Sequence, residues 1–314
     1  MTGPRDCQGE ARQQLRWLLL WASISVLGAA LSAPWVYRVA PRLGALLGRD
    51  GIEFRRLFDR LFMASLAAGL LLMLRRWGRP SAREIGWVFP RGWAREVGTA
   101  ATIAALSVGI VQGLNLALGW RVVAPVTGLA DIPRLAAVGL VSGASVALLE
   151  EVFFRGWLQR LMSVAWGTAP AVTVGAAAYA LPHYLRGPLV PEGMTGLEWD
   201  AGLRAVPSCL RYFEPHRELW LSMAVLWVVG VALASLRART GRLTWALGLH
   251  AGWVAALRIA GAATEQGART WRWLGGGPGM TDGVAGLVVL LACWWVTTRA
   301  AESRLASRPG AGAK

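Results

Sequence analysis

Long apolar stretches constrain this chain more than any other feature, because each is close to the length of a helix that crosses a lipid bilayer. A membrane-spanning helix needs roughly 20 mostly apolar residues. Stretches near this length lie at approximately 15–36, 57–75, 97–120, 134–154, 163–185, 218–236, 242–263 and 281–298. The second is the weakest, since its uncharged part runs only from Leu61 to Leu74. The pattern predicts an all-α, polytopic membrane protein with about eight transmembrane helices.

The charged residues support this class and argue against a nucleic-acid-binding protein. Only 16% of the 314 residues are charged, whereas soluble domains carry about 25%. The formal net charge is +15, and all but one of the 33 basic residues are arginine. These arginines lie between the apolar stretches instead of forming one basic patch, as is typical of the loops of a membrane protein. We therefore expect the lipid bilayer as a partner and no nucleic acid.

The breaks between the stretches predict three parts. Residues 1–96 form an N-terminal pair of membrane helices with a basic linker at 75–96, residues 97–300 form a six-helix core, and residues 301–314 form a polar tail. The first stretch could instead be a cleaved signal peptide, because the sequence at 31–33 resembles a small-residue cleavage site. With eight spans both termini lie on one side, and a weak excess of arginine in the corresponding loops favours the inside.

Two adjacent glutamates, Glu150 and Glu151, end one apolar stretch, and Arg155 follows them. A charged side chain at the bilayer centre costs about 2.5–3.5 kcal/mol on insertion scales, so such residues are candidates for function. Helical geometry places Glu151 and Arg155 on one face, where they can pair, and turns Glu150 about 100° away. Glu150 is therefore the carboxylate left free for chemistry. The alternative is that these residues merely end a span at the membrane interface.

Two histidines, His183 and His250, lie in apolar segments elsewhere. A lone membrane histidine more often bonds to a neighbouring helix, but two of them with a glutamate pair favour a shared pocket. Such a pocket suits peptide or ester hydrolysis, with a carboxylate as general base and imidazoles donating to an oxyanion. Zinc hydrolysis is the close competitor, although the sequence lacks H-E-x-x-H. Ser145 lacks the glycine-flanked turn of a nucleophilic serine, and no G-x-G-D supports an aspartyl mechanism.

These residues resemble the motifs of a known family. The motifs are E-E-x-x-x-R from Glu150, an aromatic-x-x-x-His pattern from Tyr179 to His183, and His-x-G-W from His250 to Trp253. They are similar to those of the CPBP or Abi family of intramembrane glutamic endopeptidases, which includes the CAAX proteases, over roughly residues 134–298. The resemblance implies that Glu150 activates a water, His183 assists it and His250 helps to bind the oxyanion. The supporting residues are Glu151, Arg155, Tyr179 and Trp253, and the resemblance implies neither a metal nor another cofactor.

The chain departs from the family pattern at two positions. Tyr179 stands where the family usually has Phe, a change that retains the ring. Val254 stands where the third motif often has Asn, so the amide donor expected in the oxyanion pocket is missing. A backbone N–H, the indole N–H of Trp253 or a neighbouring helix could substitute for it.

The function predicted is hydrolysis of a peptide bond near the membrane-anchored end of a protein substrate. The alternatives are a non-proteolytic protein of the same fold that binds a membrane peptide or confers immunity, which Val254 would fit, and a proton-coupled transporter. The arginine-, alanine- and glycine-rich composition indicates a G+C-rich bacterial gene. The predicted location is therefore the bacterial inner membrane, and the sequence does not identify the substrate.

Overall fold

A computed structural model of the chain describes residues 4–46, 53–124, 131–185, 187–213, 217–268, 271, 274–275 and 283–307. Almost all of the regular structure in these ranges is helical. The α-helices are α1 (Pro4–Leu46), α2 (Phe54–Trp77), α3 (Trp93–Ala117), α4 (Ile132–Glu150), α5 (Gln159–Trp166), α6 (Thr168–Ala180), α7 (Ala201–Ala205), α8 (Arg217–Thr240), α9 (Thr244–Ala263) and α10 (Gly283–Ala306). A π-helix at Glu151–Leu158 joins α4 to α5, and 3-10 helices lie at Leu181–Tyr184 and Val206–Phe213.

Two short strands are the exception. Strand β1 (Arg121–Val123) pairs antiparallel with β2 (Thr264–Gln266), and Val122 lies opposite Glu265. The buried Arg121 side chain donates to Thr264 Oγ1 at 2.7 Å. The strands therefore join the segments that follow α3 and α9 without altering the all-α class.

Seven helical segments in the described part of the chain are long and apolar enough to cross a membrane. They span Cys7–Val39, Phe54–Trp77, Trp93–Ala117, Ile132–Trp166, Leu219–Thr240, Thr244–Ala263 and Gly283–Ala306. The predicted all-α, polytopic membrane fold is confirmed. The prediction that both termini lie inside relied on an even number of spans. The seven candidate spans do not provide that even number.

The apolar stretch predicted at 163–185 accounts for the difference from eight. The helix that begins at Ile132 runs through the π-helix to Trp166, so it takes up the first residues of that stretch. It ends at Gly167, whose φ of 90° is in the left-handed region that favours glycine. Helix α6 then has only 13 residues and a length of about 20 Å, because each residue adds about 1.5 Å. It stops just before Pro182, as the restricted backbone of a residue preceding proline favours.

The chain divides into two compact units, of which the first comprises residues 1–79 and 181–214. In this unit α1 packs against α2 and α7. The indole N–H of Trp21 donates to the Ser65 carbonyl at 2.7 Å, and Ser65 Oγ donates to Ser25 Oγ at 2.9 Å. Buried alanines of α1 and buried phenylalanines of α2 form an apolar core in this unit, together with Ala205 of α7.

The second unit comprises residues 80–180 and 215–314 and contains α3, the continuous helix from α4 to α5, α6, α8, α9 and α10. Helix α9 packs closely against both α3 and α4. A Cβ at Gly248 or Gly252 would lie 2.3 or 2.5 Å from a carbonyl oxygen of α3, and one at Gly143 would lie 2.5 Å from a carbonyl oxygen of α9. Small residues allow this approach of helix backbones. His250, between the two glycines of α9, is consequently buried in the unit.

These units do not follow the linear division into 1–96, 97–300 and 301–314. The segment 181–214 belongs to the first unit, although the sequence placed it in the core. Helix α10 continues to Ala306, so the first residues of the predicted polar tail are helical. The rest of that tail, from 308 onward, lies outside the described residues.

Candidate active site

The two glutamates of the first motif lie at a change of helix type. Glu150 is the last residue of α4, and Glu151 is the first residue of the π-helix. A π-helix is wider than an α-helix and often occurs at a functional site. The pair predicted between Glu151 and Arg155 is present, with 2.9 Å between Arg155 Nη1 and Glu151 Oε1. Both side chains are buried: the Glu151 side chain is 0% exposed and the Arg155 side chain is 2% exposed.

His250 approaches both glutamates from α9. Its Nδ1 lies 2.8 Å from Glu151 Oε1, so this one oxygen contacts both the imidazole and Arg155. Its Nε2 lies 3.8 Å from Glu150 Oε2. The structure therefore brings His250 together with the whole first motif.

The two carboxylates differ in access and in partners. Glu151 is fully buried, whereas the Glu150 side chain retains 30% of its surface. Glu150 Oε2 has no hydrogen-bond partner among the residues that the structure describes. Glu151 Oε2 also lacks such a partner, and both Oε2 atoms are buried, so the exposed surface of the Glu150 side chain is what distinguishes the two residues. That Glu150 serves as the catalytic carboxylate remains a prediction.

The hydrogen bond to Glu151 determines what His250 can offer. An ionised carboxylate only accepts, so Nδ1 must carry a hydrogen and donate. In neutral imidazole the other nitrogen, Nε2, would then be an acceptor. Only an imidazolium would present an N–H on the side of Glu150, and it would balance the cluster of two carboxylates and one guanidinium.

Tyr179 forms one wall of this cluster from α6. The Arg155 guanidinium carbon lies 4.1 Å from the centre of its ring, in cation–π geometry. The ring also makes edge-to-face contacts with His250 at 6.1 Å and with Phe154 at 5.3 Å between centroids. An aromatic residue here holds Arg155 and His250 against Glu151. Phe154 joins this packing although it is not among the predicted site residues; its position within the first motif, next to Arg155, is the sequence signal for it.

Trp253 lies on the same helix as His250 but bonds elsewhere. It is buried, and its indole N–H donates to Ser107 Oγ of α3 at 3.1 Å. The indole N–H of Trp253 was one of the donors expected to replace the missing asparagine amide in the oxyanion pocket. In the structure this N–H is already bonded to Ser107. Ser107 was not predicted, because no sequence pattern links it to a residue 146 positions away.

His183 is the predicted site residue that falls in the other unit. It is exposed and lies in the 3-10 helix that follows Tyr179 and the end of α6. The cluster in the second unit consists of Glu150, Glu151, Arg155, Tyr179 and His250.

The described residues contain no group of three or more His, Cys, Asp or Glu side chains arranged to hold a metal ion. Glu151 and His250 already bond to each other. Independence from metal remains a prediction for a biochemical test.

Comparison with known proteins agrees with the motifs. Residues 132–256 match the family model of the type II CAAX prenyl endopeptidase Rce1-like proteins. No curated protein and no solved structure gives a significant match to the chain. The match includes all three motifs and supports a CAAX-type intramembrane protease function in general. Residues 132–256 are therefore similar to the CAAX protease family, which the three motifs also resemble.

Proposed function

We propose that this protein is a glutamate-dependent intramembrane endopeptidase that cuts a peptide bond near the membrane-anchored end of a protein substrate. The observation that carries the proposal is the difference in exposure and in hydrogen-bond partners between the Glu150 and Glu151 carboxylates. Glu151 is buried and bonded to both Arg155 and His250. The Glu150 side chain is 30% exposed, and its Oε2 lies 3.8 Å from His250 Nε2 without a hydrogen bond to a described residue. This leaves one carboxylate for proton transfer and one for holding the site together.

The reaction begins with Glu150 as a general base. It takes a proton from water, and the resulting hydroxide attacks the carbonyl carbon of the scissile bond. The carbonyl oxygen becomes an oxyanion, to which the protonated imidazole of His250 donates from Nε2. The carbon–nitrogen bond then breaks, and Glu150 returns its proton to the leaving amine.

Glu151 and Arg155 act as positioning residues in this scheme. Their buried pair fixes the imidazole through Nδ1, as a carboxylate commonly orients a histidine. Such orientation matters because a proton donor must lie within hydrogen-bond reach of the atom that it serves. Tyr179 supports the same arrangement by packing on Arg155 and His250.

For His183 the family resemblance implies assistance to the water. This role is tested by His183→Ala, which should lower turnover strongly and leave thermal stability unchanged, since the residue is exposed. Full activity of this variant would remove His183 from the mechanism.

The proposed substrate is a membrane-anchored protein or peptide in the bacterial inner membrane. Large apolar side chains that α4 exposes, among them Leu140, Val141 and Leu149, support a site that is reached from the bilayer. A substrate with an apolar anchor would enter beside α4, the helix that ends at Glu150.

One observation favours a second candidate, a non-proteolytic protein that binds a membrane peptide. Val254 supplies no amide donor, and the nearby indole N–H is engaged by Ser107. A binding protein needs no oxyanion donors. The endopeptidase should therefore cleave membrane proteins in the experiment below, and the peptide-binding protein should not.

The test compares membrane proteins of the host after incubation with the wild type or with Glu150→Gln in liposomes. New carboxyl termini, identified by mass spectrometry, should appear with the wild type and be absent with the variant. Glu265→Gln is the matched control, because Glu265 is an exposed carboxylate of the same unit. Absence of cleavage by the wild type, or equal cleavage by Glu150→Gln, would contradict the proposal.

A further inference from the structure

A cationic cavity lies in the second unit between the start of α3 and the end of α10. Its volume is about 450 Å³. The residues that line it are Arg91, Gly92, Arg95, Glu96, Arg304 and Ser307. It therefore shares no residue with the glutamate site.

The charges in this cavity do not cancel. Glu96 is the only carboxylate among the described residues of the lining. It already accepts hydrogen bonds from Arg242 Nε at 3.1 Å, from Arg242 Nη2 at 2.8 Å and from Thr244 Oγ1 at 2.6 Å. The three arginines of the lining form no ion pair with any residue that the structure describes in this unit. They leave an excess of three positive charges.

This excess fits a particular ligand chemistry. The guanidinium group presents a planar fork of donors that matches the oxygens of a phosphate. The amino end of α3, which starts beside Gly92, adds the positive end of a 25-residue helix. We propose that this cavity binds a phosphate group, carried by an anionic phospholipid or free in solution.

The surroundings of the cavity favour the lipid as the source. Trp87, Phe89 and Trp93 form a chain of edge-to-face contacts next to Arg91, with centroid distances of 4.7 and 5.2 Å. Phe89 and Trp93 are 38% and 43% exposed. Tryptophan is enriched at the level of the lipid headgroups, so these rings indicate that the cavity lies at headgroup depth.

The experiment measures ligand retention by the full chain, purified in detergent, with native mass spectrometry. The probes are phosphatidylglycerol, diacylglycerol as a lipid without phosphate, and inorganic phosphate as a soluble competitor. The variant carries Arg91→Gln, Arg95→Gln and Arg304→Gln. The control carries Arg75→Gln, Arg79→Gln and Arg83→Gln, which remove the same charge from exposed residues in and after the last turn of α2, outside the cavity.

The wild type and the control should retain phosphatidylglycerol and not diacylglycerol, and the cavity variant should bind phosphatidylglycerol roughly 100-fold more weakly. Failure of inorganic phosphate to displace the lipid would identify the lipid as the source, and displacement by it would identify free phosphate as a ligand of the same site. Equal retention of phosphatidylglycerol by the wild type and the cavity variant would overturn the proposal. An equal loss of retention in the control variant would also overturn it, because it would show that the lipid responds to general surface charge. If the triple variant does not fold, Arg91→Gln and Arg304→Gln are measured singly, and each should weaken retention about 5-fold.

Discussion

Replacing Glu151 with Gln is the sharpest test of the roles within the first motif. The Glu151 carboxylate is fully buried, and its Oε1 accepts from both Arg155 and His250. The amide of Gln preserves the shape and can still accept a hydrogen bond, but it removes the charge. The Arg155 guanidinium, which is 2% exposed, then remains in the protein interior without its counter-ion.

The expected cost follows from this burial. Removal of one partner from a buried ion pair typically destabilises a protein by about 3–5 kcal/mol. This corresponds to a change of roughly 150- to 4,000-fold in the folding equilibrium. Glu150→Gln should cost below about 1 kcal/mol, because Glu150 is partly exposed and makes no hydrogen bond to a described residue.

The assay combines thermal unfolding in detergent, followed by tryptophan fluorescence, with activity per folded molecule. Glu151→Gln should lower the unfolding temperature and the folded yield, with residual activity in the molecules that fold. Glu150→Gln should unfold like the wild type and be inactive. The double variant Glu151→Gln/Arg155→Met should recover stability relative to Glu151→Gln, since it removes the uncompensated charge as well.

Two results would refute this reasoning. If Glu151→Gln is as stable as the wild type, or if the double variant is no more stable than Glu151→Gln, the pair does not carry the stability assigned to it. If Glu151→Gln folds normally and is inactive while Glu150→Gln turns over substrate, the base is Glu151.

Three other outcomes are expected. Gly252→Ala should destabilise the second unit by about 1–3 kcal/mol, because its Cβ would lie 2.5 Å from the Ala101 carbonyl oxygen; Gly261→Ala, with open space around its Cβ, should be neutral or stabilising in the same unfolding assay. Backbone hydrogen bonds, first from Thr195, lower the pKa of Glu198 from 4.5 to about 2. The unfolding-temperature advantage of the wild type over Glu198→Gln should therefore be complete above pH 4.5 and disappear as the pH falls towards 2, and a constant difference would contradict this. Activity should survive a chelator, whereas inactivation that zinc reverses would establish a metalloenzyme.

Local physics explains what could be predicted about the site. The spacing of Glu151 and Arg155 places them on one helix face whatever the rest of the chain does, and that pair is present. The same spacing separates Glu150 from the pair. The π-helix was not predictable, because no residue pattern in the segment distinguishes it from an α-helix.

Contacts between distant residues could not be obtained in this way. His250 and Glu151 are 99 positions apart, and their 2.8 Å contact depends on the close packing of α9 against α4. The engagement of Trp253 by Ser107 depends in the same way on α9 packing against α3. A motif predicts which side chains take part in chemistry, but helix packing decides which of them touch.

The sequence alone determined the membrane class, since a span requires only length and hydrophobicity, and it determined the glutamate–arginine pair, which requires only helical periodicity. The path of the chain in the structure decided the number of candidate spans, because the helix that begins at Ile132 extends to Trp166 and leaves α6 with 13 residues. Tertiary structure also decided that Glu151, through its bond to His250, is the buried carboxylate and that Glu150 is the open one. Accessibility and contacts of this kind arise from the packing of helices that are far apart in the chain.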